Sequence, residues 1–282
     1  MALQPDRMYP QVVNWEPKSN AVTQILRTWN VDATDVLFVD DSAHVLAEVK
    51  QAHPNINVRT FPTSDTHAAV KLLLDLRDLF GKARITEEDG LRLESIRAAG
   101  ERDEAARTAT DQEAFLSGTE PVLTYSCETE PVDPRLLQLI NKTNQFNLNG
   151  KRVTEGAWLQ FLASPGSFLL AVSYRDKFGP LGKIAVLAGT REGDELKVLN
   201  WVMSCRAFGR RIEYACLRLL FDTFHVDRIS VCYQSTDRNG PIQTLLGELT
   251  GRDELSSVRL TRDQLLAACP PLYHRVEDVS GS

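Results

Sequence analysis

Ser204, Cys205 and Arg206, followed by Gly209, Arg210 and Arg211, place a thiol beside three cations just ahead of a strongly apolar helical pattern. Guanidinium charge and the N–H groups of a helix start both favour thiolate over thiol. Thiolate is the form that attacks acyl carbon, so Val202–Arg211 reads as a candidate acyl-transfer centre with Cys205 as its nucleophile. A cysteine can also serve as a small buried hydrophobe. Cys216 in an apolar helix face, Cys232 in a strand and Cys127 fit that second use. His225 is the histidine near the motif in sequence; its place at a helix end suits capping of the C-terminus rather than catalysis.

Three further groups carry polar chemistry. Asn144, Gln145 and Asn147 gather amides that either hold the backbone of a long loop or bind the hydroxyls of a polar acyl group. Asn239, with Thr236, follows a strand, where it closes a site or caps a helix. Asp40 and Asp41 end the apolar run Val36–Val39, which places two carboxylates at the C-terminal edge of a parallel sheet, where open α/β folds bind ligands. Two adjacent acids can bind Mg²⁺, and capping of the next helix by Asp41 or Ser42 explains them as well. Lys18 reads either as an anion ligand or as a solvated cation.

The elements that must position these groups fall into three stretches. Val22, Ile25, Leu26 and Trp29 have helical spacing; a buried strand at Val36–Val39, a helix through Val45, Leu46 and Val49, and a strand from Ile56 to Phe61 follow. That order is half of a doubly wound α/β sheet, within about 65 residues where a complete domain usually has more than about 100. An edge left open in such a half-sheet invites pairing with another chain, a homo-oligomer included, or coverage by a helix. Residues 66–115 read as helical, with Thr86 capping one helix and a charged stretch, Leu93 to Gln112, reading as a solvated helix or connector. From Val122 the pattern becomes α+β, with strands at Phe168–Tyr174, Lys183–Ala188 and Leu196–Met203, a helix from about Phe208 to Phe224 and a strand at Arg228–Tyr233.

Composition limits the function classes. The chain has 282 residues, 43% of them hydrophobic and 25% charged, which suits about two globular domains. A net charge of −6, without a basic run interleaved with aromatics, speaks against nucleic acid. Five cysteines without CxxC spacing speak against a disulfide framework or a structural zinc. No apolar run approaches the roughly 20 residues of a membrane span, and the first residues do not resemble a signal peptide. The expectation is a cytoplasmic protein with reduced thiols and no membrane partner.

Three segments together resemble the FkbH-like family, in which a phosphatase domain of the haloacid-dehalogenase (HAD) type is joined to a GNAT-like acyltransferase domain. They are Asn14-Trp15-Glu16-Pro17-Lys18-Ser19 with Phe38-Val39-Asp40-Asp41, Asn141-Lys142-Thr143-Asn144-Gln145-Phe146-Asn147-Leu148, and Ser204-Cys205-Arg206 with Gly209-Arg210. Asp176-Lys177-Phe178-Gly179 and Thr236-Asp237-Arg238-Asn239 match more weakly. The resemblance implies a partial HAD-like α/β half-domain over 1–66, a helical connector over 67–117 and a GNAT-like domain over 118–282. It implies transfer of an acyl group, glyceryl foremost, from a small phosphorylated or acyl substrate to an acyl carrier protein in polyketide-type metabolism. Cys205 matches the cysteine that carries the acyl group as a thioester. Arg206 and Arg210, with Gly209 in the same loop, would lower its pKa or bind the substrate's phosphate; Lys18 matches the HAD phosphate-site lysine, and Asp40 and Asp41 its Mg²⁺-binding pair.

Two departures qualify this. HAD phosphatases use a first-strand aspartate in a DxDxT-like motif. Thirteen residues precede Asn14, and their one aspartate, Asp6, is not in such a motif. Without an attacking carboxylate no phosphoaspartate forms, so the expectation is loss of phosphatase activity and a vestigial metal site. Arg206-x-x-Gly209-x-Arg211 overlaps the GNAT loop for the CoA diphosphate, but Arg211 stands where a small residue lets phosphate approach. Binding of CoA or of a phosphopantetheine arm is therefore open. A CoA-dependent GNAT acyltransferase and a non-catalytic carrier-protein-binding relic remain as alternatives.

Overall fold

A computed structural model of the chain describes residues 8–29, 31–81, 87–251, 255 and 258–280. The structure is mixed α/β, with ten α-helices and ten strands among the described residues. The chain divides into two units, Met1–Gly100 and Glu101–Ser282.

The first unit runs α1 (Lys18–Trp29), β1 (Leu37–Asp40), α2 (Ala43–Ala52), β2 (Asn57–Thr60) and α3 (Thr66–Phe80), then enters α4 (Glu87–Thr108), inside which the division falls. Helix α2 starts where the Ser42 hydroxyl accepts the Val45 N–H, and α3 where Asp65 accepts that of Ala68. Strands β1 and β2 pair in parallel, Leu37 with Asn57 through Asp40 with Thr60, in a two-stranded sheet. Val22, Val49 and Ile56 form a small core on which Phe38 and Val58 pack. The sequence led us to expect a fully buried first strand, but β1 is half-buried along its length. With one partner strand and a core this small, too little of the chain covers it. Helix α3 likewise leaves Val70, Leu73, Leu74, Leu79 and Phe80 exposed. The expected cap Thr86 lies outside the described residues.

The second unit continues with α5 (Gln112–Ser117), β3 (Val122–Ser126), α6 (Pro134–Lys142), β4 (Phe146–Asn147), α7 (Glu155–Leu162), β5 (Ser167–Asp176), β6 (Gly179–Glu192), β7 (Glu195–Met203), α8 (Ile212–Phe224), β8 (Arg228–Val231), α9 (Gly240–Thr250), β9 (Val258–Thr261), α10 (Arg262–Ala268) and β10 (Arg275–Asp278). Its eight-stranded sheet has the order β10-β3-β5-β6-β7-β8-β9, with β4 added against β7. The pairs β10–β3 and β7–β8 are parallel; the others are antiparallel.

Helices cover both faces of this sheet, which explains its nearly continuous apolar strands. Along β5, Phe168, Leu170, Val172 and Tyr174 enter the core built with α8, α9 and α10, while Leu169 and Ala171 face α6 and α7. Alternation of side chains along an extended strand produces both faces from one run. Gly189 sits at an irregularity in the β6–β7 register, where a Cβ would lie 1.9 Å from the Lys197 carbonyl oxygen.

The β7–β8 pair is what shapes the site. Its register runs from Glu195–Arg228 to Val198–Val231, and a last bond joins the Cys232 N–H to the Val198 carbonyl. Beyond that, β7 continues to Met203 and the vacated edge is taken by β4, Phe146 against Met203 and Asn147 against Val202. On its other side the Leu148 carbonyl accepts the Gln234 N–H at 3.1 Å. The segment Phe146–Asn149 thus wedges between the two diverging parallel strands.

Candidate functional site

The turn that carries Cys205 begins where β7 stops. The Ser204 N–H donates to the Ile184 carbonyl at 2.7 Å, and Cys205–Ala207 then forms one 3₁₀ turn, closed by Ala207 N–H to Ser204 and Phe208 N–H to Cys205. Gly209 and Arg211 adopt left-handed backbone, with φ of +68° and +60°. Glycine takes that region without strain; arginine rarely does. These two residues delay the helix: α8 opens at Ile212 rather than near Phe208, so Cys205 belongs to its own turn and not to the first turn of α8.

Partners of the Arg211 side chain hold its conformation. The guanidinium grips Glu113 with both terminal nitrogens and donates to the Pro271 carbonyl at 2.8 Å. Tyr273 donates its hydroxyl to the same carboxylate at 2.7 Å. The Arg211 hydrogen bond, with help from Tyr273, holds the Glu113 carboxyl down at about 2.

Beneath the turn lies a buried cationic pair. Arg210 is 5% exposed and donates through Nη1 to the Arg206 carbonyl at 2.6 Å and the Phe208 carbonyl at 3.3 Å. Its guanidinium lies over the Tyr174 ring, and its Nε is 3.7 Å from Asp176 Oδ2, which also accepts the Tyr174 hydroxyl. Arg102, 4% exposed, donates through Nη2 to the Gly209 carbonyl at 2.7 Å and lies over the Phe115 ring. Burial, and then the charge of Arg210, lower the Arg102 pKa; burial and Asp176 raise that of Tyr174. A small pocket beside the pair is lined by Tyr174, Arg210, Arg211, Tyr273 and His274 among others. Burial pushes His274 down to about 4, and its Nδ1 is enclosed without a hydrogen-bond partner.

Segments far apart in sequence meet at this turn. Phe146 of β4 packs edge-on against Trp201 and lies 6.2 Å, centroid to centroid, from Phe208. Asn147 accepts the Asn149 and Gly150 N–H groups and donates to the Thr143 carbonyl. Asn239, wholly buried, accepts the Thr236 N–H and donates to the carbonyls of Asn147 and Gln234. Asn147 serves the first use foreseen for its group, holding backbone; Asn239, expected to close a site or cap a helix, makes no side-chain capping bond to α9 and holds backbone instead. Asn144 and Gln145 are exposed just before β4, and Asn144 accepts from Arg152. Arg206 is half-buried, with Nε 3.4 Å from Ser204 Oγ. Arg210, expected either to lower the thiol pKa or to bind phosphate, is turned inward, and its guanidinium holds the turn.

No family model matches the chain, and no curated protein matches it. The cysteines differ clearly among themselves. Cys205 is half-buried, whereas Cys216 is enclosed and its thiol is pushed far up by burial. Cys127 is pushed up to about 11 by burial and then by Asp278. Those two favour the thiol form.

Neither Mg²⁺ at Asp40 and Asp41 nor CoA at α8, both left open by the sequence, finds a fitting set of residues. Around Asp40, one carboxylate oxygen accepts the Ser42 N–H and the other lies 3.7 Å from Lys18 Nζ. Asp41 is exposed, and among the described residues no group of three or more His, Cys, Asp or Glu is placed to hold a metal. A carboxylate already serving an ammonium and a helix start is a poor Mg²⁺ ligand. Of the two readings of this strand end, the structure shows helix capping, by Ser42, while Asp40 accepts the Ser42 N–H and pairs with Lys18. At α8, Arg211 is held by Glu113, and Glu213 occupies the first helical turn with its pKa raised by burial and by Glu248. With Arg211 standing where a small residue lets phosphate approach, and engaged by Glu113, the start of α8 does not match a CoA diphosphate loop.

Sequence reasoning missed Arg102, Tyr174 and His274. Arg102 lies in a charged stretch that read as solvated, and nothing in its spacing marks one arginine among several as buried. Asp176 followed by a tight turn was the one visible signal, because a carboxylate at a strand end can serve a distant cation.

Proposed function

We propose that this chain is an FkbH-like protein whose second unit is a GNAT-like acyltransferase working through a thioester on Cys205. The observation that carries this reading is the turn itself: Phe146 packs beside its Phe208, Arg210, paired with Asp176, holds its Arg206 and Phe208 carbonyls, and it carries a half-buried Cys205 where Cys216 is enclosed. In this reading the first unit is a HAD-like α/β half-domain.

The Cys205 thiolate attacks the acyl carbon of an activated donor, glyceryl phosphate anhydride foremost. A C–S bond forms as the bond to the phosphate oxygen breaks and phosphate leaves. The thiol of a carrier protein's phosphopantetheine arm, as thiolate, then attacks the thioester carbonyl. The acyl group passes to that sulfur and Cys205 leaves as thiolate. Arg206, beside the thiol, supplies positive charge to the leaving phosphate, while Arg210 and Asn239 keep the turn and the wedge in place.

Intact-protein mass spectrometry tests this. Incubation with 1,3-bisphosphoglycerate should add one 3-phosphoglyceryl group to the wild-type protein and none to Cys205→Ala, and a carrier protein should discharge it. An adduct that survives the alanine substitution refutes the role of Cys205.

A further inference from the structure

We propose that Arg102 is a positioning residue for the Cys205 turn, a role that rests on the reading of Cys205 as acyl carrier. Enclosing a guanidinium is unfavourable unless its donors meet acceptors, and Arg102 is 4% exposed. What it meets is the Gly209 carbonyl, at 2.7 Å. Gly209 is left-handed and precedes α8, so its carbonyl has no helical N–H to accept from.

Arg210 treats the same turn in the same way, taking the carbonyls of Arg206 and Phe208. Three carbonyls between Arg206 and Gly209 are thus held from below by two guanidinium groups that come from different parts of the chain. The hold reaches the thiol through one further bond, since the Phe208 N–H closes the 3₁₀ turn on the Cys205 carbonyl. Phe115 under the Arg102 guanidinium and Asp103 3.5 Å from its Nη1 fix the direction of the fork. Arg102 does not touch a reacting atom. It fixes the orientation in which Cys205 is presented.

The test compares Arg102→Met and Arg102→Lys with wild type by site-resolved alkylation. Iodoacetamide rates at Cys205, Cys127, Cys232 and Cys269 are read by mass spectrometry, alongside the rate of acyl adduct formation. In Arg102→Met the adduct rate should fall about tenfold or more, the scale expected when a reacting group is misplaced by a fraction of an ångström to an ångström. The Cys205 alkylation rate should change by about fivefold or more while the other three cysteines stay within about twofold. Arg102→Lys keeps the charge and one donor, so it should fall between, about threefold below wild type. If Arg102→Met does not fold, the lysine variant decides alone. Wild-type Cys205 behaviour in either folded variant overturns the proposal, and so does a common rise at all four cysteines, which would mark a loosened fold. Should wild type form no adduct while Arg102 still governs Cys205 alkylation, the acyl-transfer reading fails and the positioning role stands.

Discussion

The Asn239 side-chain amide donates to the main-chain carbonyl of Asn147 at 3.0 Å, joining the start of α9 to the strand wedged between β7 and β8. Both ends of that amide are engaged, and the residue is wholly buried. Asn239→Ala should therefore leave the Thr236 N–H and two carbonyls without their partner, at a cost of about 2 kcal/mol or more. Urea unfolding measures it. A midpoint unchanged from wild type would mean that the wedge does not depend on this clamp.

Gly189 separates space from conformation as the reason for a glycine. A Cβ there would lie 1.9 Å from the Lys197 carbonyl and 2.8 Å from the Phe168 ring, so Gly189→Ala should cost about 3 kcal/mol by forcing β6 from β7. Gly193 has a positive φ but open surroundings, and Gly193→Ala should cost only about 1 kcal/mol. Thermal unfolding of the two variants should rank them in that order; equal effects would contradict the close approach.

His274 makes the second unit sensitive to acid. Its pKa in the folded protein, about 4, lies below the ordinary 6.5 because the ring is buried, with Arg211 adding to the effect. Between those values the unfolded chain binds more protons, so the contribution is complete above pH 6.5 and is lost as pH falls to 4. It amounts to about 3 kcal/mol at most. In urea unfolding at pH 4.5 and 7, His274→Phe should show a smaller drop than wild type. Arg210, Arg211 and Tyr174 remain around the ring position in both proteins, so the difference isolates the imidazole. An identical drop would place the acid sensitivity elsewhere.

Much of the second unit was legible because strand alternation and helix spacing survive in a sheet covered on both sides. Val36–Val39 misled us as a deeply buried strand: an apolar run reports the propensity for burial, and the amount of chain covering it is set elsewhere. The start of α8 was placed too early because Phe208 continues the apolar pattern, while the left-handed residues Gly209 and Arg211 decide where helix begins. Cys205 and Asn239 announced themselves by type and neighbours. Arg102 did not, since its acceptor is a carbonyl more than a hundred positions away, and backbone acceptors leave no mark on composition.

A peptide unit is planar, and in the trans form its oxygen and its hydrogen point in opposite directions. Drawing the oxygens of Phe208 and Gly209 down onto two arginines therefore turns the hydrogens of Gly209 and Arg210 the other way. The upper rim of the turn acquires a fringe of partial positive charge that no titration removes, because it belongs to main-chain amides. Their aim is set by two cations on the opposite side of the same peptide planes.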